Sequence, residues 1–178
     1  MENMYAPWRI AFIEGRKKDD LPSPSGCIFC DYTPNHCPEN HSREEWDKRR
    51  LIVTARKHAF VILNKYPYAN GHIMVVPRRH TDQLDSLHEE MFQDTHLLLQ
   101  EAIAAIRKIY APHGINIGMN MGRAAGAGIA DHVHYHIVPR WNGDTNFMPT
   151  FAGVKVINEG LNDTYERLVP LLRQPNEK

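Results

Sequence analysis

The chain lacks any excess of charge: 21 Lys and Arg balance 21 Asp and Glu over 178 residues. With no global field to hold a polyanion, a nucleic-acid binder working through bulk charge is not expected, although a local basic pocket is still allowed. Long apolar runs are also missing. Nothing approaches the ~18 consecutive apolar residues that span a bilayer, and charges break every apolar stretch from Met1 to Gly15, which therefore does not read as a secretory signal. Cysteine is scarce. Cys27, Cys30 and Cys37 make an odd number, which argues against a secreted disulfide scaffold and for reduced thiols in the cytoplasm. Repeats and low-complexity tracts are absent. The expectation is one domain over residues 1–178, its 42% hydrophobic residues enough for a core, with no membrane or nucleic-acid partner.

Histidine is abundant, at 11 residues, and spacing has to select the ones that matter. An N-terminal extension, 1–26, carries an aromatic and apolar patch (Tyr5, Trp8, Ile10, Phe12, Ile13) and then a charged, Pro/Ser-rich stretch. A polar segment from Cys37 to Arg50 predicts a loop and a short helix around Glu44 to Lys48. "FVILN" (Phe60 to Asn64) and "HIMVVP" (His72 to Pro77) read as strands, joined by a connector with the turn pair Asn70-Gly71, a hairpin signal. Ser86 and Glu89 form a capping-box pattern, after which Leu87, Met91, Leu98, Ala102, Ala105 and Ile109 recur at helical spacing to Tyr110. Pro112 and Gly114 stop that helix. Strands are predicted over Ile115 to Met121 and His132 to Val138, and a C-terminal helix over Asn158 to Arg173 with Leu161, Leu168 and Leu172 inward. This order predicts an α+β fold with a mostly antiparallel sheet, one long helix and a C-terminal helix.

"DHVHYHIVPRW" (Asp131 to Trp141) sets His132, His134 and His136 at alternate positions. On a strand they share one face, neighbouring Cα atoms of the set being about 6.5–7 Å apart, while Val133, Tyr135 and Ile137 face the other way. A histidine-rich surface strand is the bland alternative. A three-histidine metal site is a second, but three imidazoles along ~13 Å of one strand converge poorly on one ion. The third is division of labour: one neutral imidazole acts as nucleophile while its neighbours orient it and bind substrate, and His134 is best placed to act. The preceding loop, Gly122 to Asp131, holds Gly122, Gly126 and Gly128 among alanines, with Arg123 inside it. Its small side chains let an anion approach the backbone, which points to phosphate.

These segments resemble the histidine-triad (HIT) family. "HVHYHIV" is similar to its His-x-His-x-His signature, "NMGRAAGAGIADHVHYH" to its loop-plus-triad block, and "FVILNKYPYANGHIMVVPRRH" to its hairpin with Gly-His and Pro-x-x-His landmarks. The match covers a core from Cys27 to Trp141, leaving 142–178 as a C-terminal segment. "YAPWR" (Tyr5 to Arg9) and "WNGDTNFMP" (Trp141 to Pro149) resemble a bacterial branch of diadenosine tetraphosphate phosphorylases and related dinucleoside-polyphosphate hydrolases. The resemblance implies a HIT-like fold, a homodimer whose sheets join, and a nucleotide substrate. It implies His134 as the nucleophile that takes the nucleotidyl group, with His132 and His136 contacting phosphates and orienting it. Asn64 falls where the family binds ribose and His72 where a histidine supports the site. Asn120 and Gly122 match its Asn-x-Gly. One departure is the absence of a glutamine in Gly126-Ala127-Gly128, so the phosphate contact must come from elsewhere, such as backbone or Arg123.

Cys27-Ile28-Phe29-Cys30 has metal-knuckle spacing but is half a site; a redox dithiol or two core thiols are alternatives. In zinc-containing relatives the pair is completed by the histidine after the hairpin and the first triad histidine, which the resemblance places at His80 and His132. Such a zinc would be structural and would compete with a purely phosphate-orienting His132. Cys37 and His41 are nearby rivals as ligands. No organic cofactor is implied. Trp141, Phe147 and Phe151 suit adenine stacking or packing, Arg78 and Arg79 a phosphate or a solvated edge, and Asp144 a turn. Two further readings stay open beside dinucleoside-polyphosphate cleavage: a nucleoside phosphoramidase or adenylyl-amine hydrolase, and a nucleotide-binding sensor with little catalysis. A zinc-dependent hydrolase using the triad as ligands is a third.

Overall fold

A computed structural model describes residues 23–33, 37, 42–144 and 157–173. Their strands are β1 (Ile52–Ala55), β2 (Ala59–Leu63), β3 (Ile73–Pro77), β4 (Gly114–Gly118) and β5 (Tyr135–Arg140). Their α-helices are α1 (Ile28–Asp31), α2 (Arg43–Arg50), α3 (Glu89–Tyr110) and α4 (Leu161–Leu172). The strands form an antiparallel sheet in the order β1-β2-β3-β5-β4. This is the α+β arrangement read from the sequence. No helix among the described residues is long and apolar enough to cross a membrane.

Alternation along the two central strands divides the interior. Val61, Leu63, Ile73, Val75 and Ile137 point to one face, where Leu98, Ala102, Ala105 and Ile106 of α3 and Leu168 of α4 cover them. Phe60, Ile62, Met74 and Val76 point to the other, where Cys27 and Phe29 cover them. β2 and β3 are therefore buried on both faces, and each reads as an unbroken apolar run. His136 pairs with Met74 of β3, so β5 puts that imidazole on the face that α1 covers.

Several boundaries differ from the sequence reading. The strand before the hairpin, β1, went unpredicted although Ile52-Val53-Thr54 is a β-branched run. The long helix starts at Glu89 with His88 as its cap, the ring Nδ1 accepting from the Met91 N–H at 3.2 Å. Ser86 instead closes a 3-10 turn, Leu84–Ser86, and its hydroxyl donates to the Gln83 carbonyl at 2.8 Å. Leu87 is extended between the two, which uncouples Ser86 from Glu89. The last strand begins at Tyr135, not His132, because the Val133 N–H bonds the Thr81 carbonyl at 2.8 Å outside the ladder. The strand after the long helix stops at Gly118, the short helix after Cys37 spans Arg43–Arg50, and the C-terminal helix starts at Leu161. The motif Tyr5 to Arg9, His41, Phe147 and Phe151 lie outside the described residues.

Two ties fasten the C-terminal helix. Arg173 donates to the Val53 carbonyl at 2.7 Å, the Ile52 carbonyl at 3.0 Å and the Asp47 carboxylate at 2.9 Å. Glu159 accepts from Thr164 at 3.0 Å, from Arg167 at 2.5 Å and from the Tyr110 hydroxyl.

The hairpin turn before His72 depends on Gly71, whose φ of +72° strains any residue with a Cβ. A Cβ there would also lie 2.6 Å from the Tyr110 ring. That ring cannot step aside, since its hydroxyl is on Glu159 and Arg167 stacks over it at 4.7 Å. Gly71→Ala should therefore destabilise the fold by about 2 kcal/mol or more, from left-handed strain plus overpacking; urea denaturation with an unchanged midpoint would contradict this.

Candidate active site

The site is assembled where β3 and β5 run side by side and α1 closes over them. His132 is fully buried. Its Nε2 lies 2.8 Å from the Pro77 carbonyl, which can only accept, so that nitrogen carries the hydrogen. The Nδ1 lone pair then faces the thiols, 3.4 Å from Cys27 Sγ and 3.7 Å from Cys30 Sγ. The ring is thus enclosed at both nitrogens, by the Pro77 carbonyl and by the thiols. What it offers the triad is its main chain.

That main chain sets His134. The His134 Nδ1 lies 2.8 Å from the His132 carbonyl, again an acceptor, so Nδ1 holds the hydrogen and Nε2 the lone pair. Phe29 flanks the ring at 4.8 Å between centroids, and the His136 ring sits at 4.8 Å on another side. Burial pushes the His134 pKa below the ordinary histidine value, opposed by the bond to the His132 carbonyl. The ring is therefore neutral at physiological pH.

His136 has the opposite tautomer, fixed through His72. The Tyr68 N–H donates to His72 Nδ1 at 3.0 Å, so the neutral His72 ring keeps its hydrogen on Nε2. That Nε2 lies 3.0 Å from His136 Nδ1, which must accept, and the His136 hydrogen is driven to Nε2. Tyr68 stacks on His72 at 5.0 Å, nearly parallel. Asn64 Nδ2 lies 3.4 Å from both His72 ring nitrogens, and Asn64 Oδ1 accepts the Tyr66 N–H at 2.9 Å. One imidazole presents a lone pair and its neighbour a donor.

The glycine-rich loop leaves β4 beside this pair, because Gly118 is the register partner of His136. Gly122 and Gly126 have φ values of +79° and +87°, which glycine alone adopts freely, and they bracket a 3-10 turn, Arg123–Ala125. The loop is less open than its composition suggests: the N–H groups of Ala125 and Ala127 bond the Gly122 carbonyl, and that of Gly126 bonds the Arg123 carbonyl. Gly122, Arg123 and Gly128 are exposed, and Asn120 lies against Gly126.

The four residues Cys27, Cys30, His80 and His132 bring their ligand atoms within 4.8 Å of one another. The sulfur–nitrogen separations are 3.3 Å (Cys30 to His80), 3.4 Å and 3.7 Å. A tetrahedral ion with bonds of ~2.3 Å to sulfur and ~2.0–2.1 Å to nitrogen requires about 3.5 Å for that edge. The Cys30 thiol is pushed up to about 12 by burial, then by Cys27 beside it, which is the penalty a cation among them would reverse. The residues fit a metal. Cys37 lies apart, its Sγ at 4.0 Å from the Ser42 carbonyl.

Among the other candidates, Trp141 packs edge-on to Tyr110 at 6.3 Å, and Asp144 closes its turn by accepting from Arg140 at 2.6 and 2.9 Å. Arg79 is spent on the Ser86 carbonyl at 3.0 Å. Sequence reasoning missed Phe29 and Tyr68. Phe29 stands inside the cysteine pair, and its place within that motif was the available signal. For Tyr68 there was none, since its N–H does the work.

The HIT domain family profile matches residues 46–143. The AP-4-A phosphorylase of Mycobacterium tuberculosis is 42% identical over 130 residues, spanning 72% of this chain and 67% of that protein. The chain therefore belongs to the HIT family. An adenosine 5'-monophosphoramidase of Schizosaccharomyces pombe is 32% identical, over 65% of this chain and 75% of that protein. In fold, the chain resembles a zinc-bound histidine triad family protein from Mycobacterium smegmatis, with a TM-score of 0.62 at 24% identity, over 85% of this chain and 96% of that one. A hypothetical histidine triad nucleotide-binding protein from Sulfolobus tokodaii gives 0.59 at 25% identity, over 83% and 89%.

Burial, against the Pro77 hydrogen bond, lowers the His132 pKa from 6.5 to about 4. Between those values the unfolded chain binds a proton that folded His132 refuses, so stability is full above pH 6.5 and declines as pH falls toward 4. In metal-free protein this residue alone should remove about 3 kcal/mol across that window; urea unfolding at stepped pH checks it, and a His132→Asn variant with the same slope would contradict it.

Proposed function

We propose that the chain cleaves dinucleoside polyphosphates, diadenosine tetraphosphate first among them, through a nucleotide bound covalently to His134. The observation that carries this is the pairing of tautomers: a neutral His134 with its lone pair on Nε2, and beside it a His136 with its hydrogen on Nε2. In the first step His134 Nε2 attacks the α-phosphorus. The bond to the bridging oxygen breaks, and that oxygen leaves with ATP. The His136 Nε2–H donates to a phosphate oxygen as charge builds there. In the second step phosphate attacks the phosphorus, the nitrogen–phosphorus bond breaks, and the electron pair returns to Nε2, giving ADP; water in the same place gives AMP. Asn64 would hold ribose with His72 behind it. Asn120, Gly122, Arg123, Gly126 and Gly128 would line the phosphates, with the Arg123 charge standing in for the missing glutamine. The Mycobacterium tuberculosis relative supports phosphate as the second nucleophile.

Incubation with diadenosine tetraphosphate should yield ATP and ADP when phosphate is present, and rapid quench should trap nucleotide on the protein. His134→Ala should lose at least ~10³-fold in kcat while still binding nucleotide. Undiminished turnover in that variant rejects the mechanism, and binding without turnover in the wild type favours a nucleotide sensor. The phosphoramidase similarity supports a second reading, cleavage of a nucleoside phosphoramidate by the same two steps. Relative kcat/KM on the two substrate classes decides between them.

The thiol–imidazole cluster would hold zinc through Cys27, Cys30, His80 Nδ1 and His132 Nδ1, where the ion would supply structural cohesion and neutralise the thiolates. Turnover that survives thorough chelation would set aside a zinc-dependent hydrolase. The three free cysteines suit a reducing, cytoplasmic setting. A homodimer joined along β4 is supported by that strand's exposed edge position and by exposed Ile117, Phe92, Leu97 and Met121. Native mass spectrometry reads both properties together: two chains with one zinc each are expected, whereas a metal-free monomer would refute both.

A further inference from the structure

The one-turn helix α1 carries Phe29 between two cysteines. A helix of four residues does not hold itself, because nucleation costs more than one turn returns. Its N-cap, Cys27, makes no side-chain capping bond. The segment is held from its ends instead. Cys27 Sγ and Cys30 Sγ reach His132 Nδ1, and Cys30 also reaches His80 Nδ1. Ser23 and Ser25 donate to Asp31 at 2.6 and 2.9 Å.

What these anchors place is a fully buried ring. Phe29 meets His134 at 4.8 Å and His132 at 5.3 Å, with Phe60 behind it at 6.5 Å. His134 precedes β5 and gets no ladder bond of its own. Its orientation rests on one hydrogen bond, to the carbonyl of His132. That bond fixes where Nδ1 points but leaves the ring able to tilt about it. The Phe29 and His136 rings, each 4.8 Å from it between centroids, restrict that freedom.

We infer that Phe29 is a positioning residue for His134, held in place by the Cys27, Cys30, His80 and His132 cluster. This rests on the reading of His134 as nucleophile. Phe29 is fully buried and acts through the imidazole. It keeps the imidazole aimed, so that Nε2 spends its time in an attacking geometry.

The test is imidazole 15N and proton NMR on the zinc-loaded protein, together with steady-state kinetics on diadenosine tetraphosphate. Wild type should show His134 as a single Nδ1–H tautomer with a slowly exchanging proton. Phe29→Ala should show fast exchange or mixed tautomers, with kcat reduced about tenfold to a hundredfold, KM and zinc content unchanged. Phe29→Leu, which refills part of the volume, should fall between the two in both readouts. Chelating the wild type should speed exchange at His134 in the same way. Wild-type exchange and kcat in both Phe29 variants would overturn the inference, and unchanged exchange on chelation would remove the cluster from it. If Phe29→Ala does not fold, Phe29→Leu and chelation decide, since wild-type behaviour in both refutes the idea. Wild-type protein with no turnover would instead defeat the proposed function, while the tautomer and exchange measurements would still decide the placement of the ring.

Discussion

One hydrogen bond organises this molecule: the His134 Nδ1–H donating to the carbonyl of His132, two residues earlier. It lies within a short stretch of chain, yet it holds only if that stretch is pinned. The Pro77 carbonyl at the end of β3 pins the His132 ring, the Thr81 carbonyl pins the Val133 N–H, and the Cys27 and Cys30 thiols close on His132 Nδ1. Strand, connector and N-terminal knuckle thus converge on one peptide unit. The sheet behind them is rigid because both faces of β2 and β3 are packed.

The adjacent histidines differ because their neighbours are polar in opposite senses. A carbonyl can only accept and a backbone N–H can only donate, so His132 oxygen and Tyr68 nitrogen force opposite tautomers on rings 4.8 Å apart. Two chemically identical side chains thereby present a lone pair on one Nε2 and a hydrogen on the other. Burial penalises the imidazolium of His134, and His136 accepts at Nδ1 from His72.

Much of the fold was legible in the sequence because its signals are local. The hairpin declared itself through Asn70-Gly71 between β-branched runs, and α3 through its apolar spacing. The failures share a cause, which is tertiary override. Ser86 had the right spacing to cap α3, but Leu87 runs extended and His88 takes the position. His132 looked like a strand residue, but the Thr81 carbonyl draws Val133 out of the ladder. In the site, side-chain identity pointed to the imidazoles and to the cysteine pair. It did not reveal that the His132 carbonyl bonds the His134 ring, because a main-chain oxygen leaves no mark in a list of residue types. Phe29 was hidden for a related reason: an aromatic inside a metal knuckle reads as core until its neighbour is seen to be His134.

Arg173 has a consequence for assembly. By gripping the Ile52 and Val53 carbonyls it occupies hydrogen-bonding capacity of β1, at one end of the sheet. A stray strand arriving at that end finds a guanidinium already seated. At the opposite end of the described sheet, β4 is an edge strand and largely exposed. Among the described residues one margin of the sheet thus carries the chain's own guanidinium while the other stays exposed, which sets the two ends apart for any strand that would add to them.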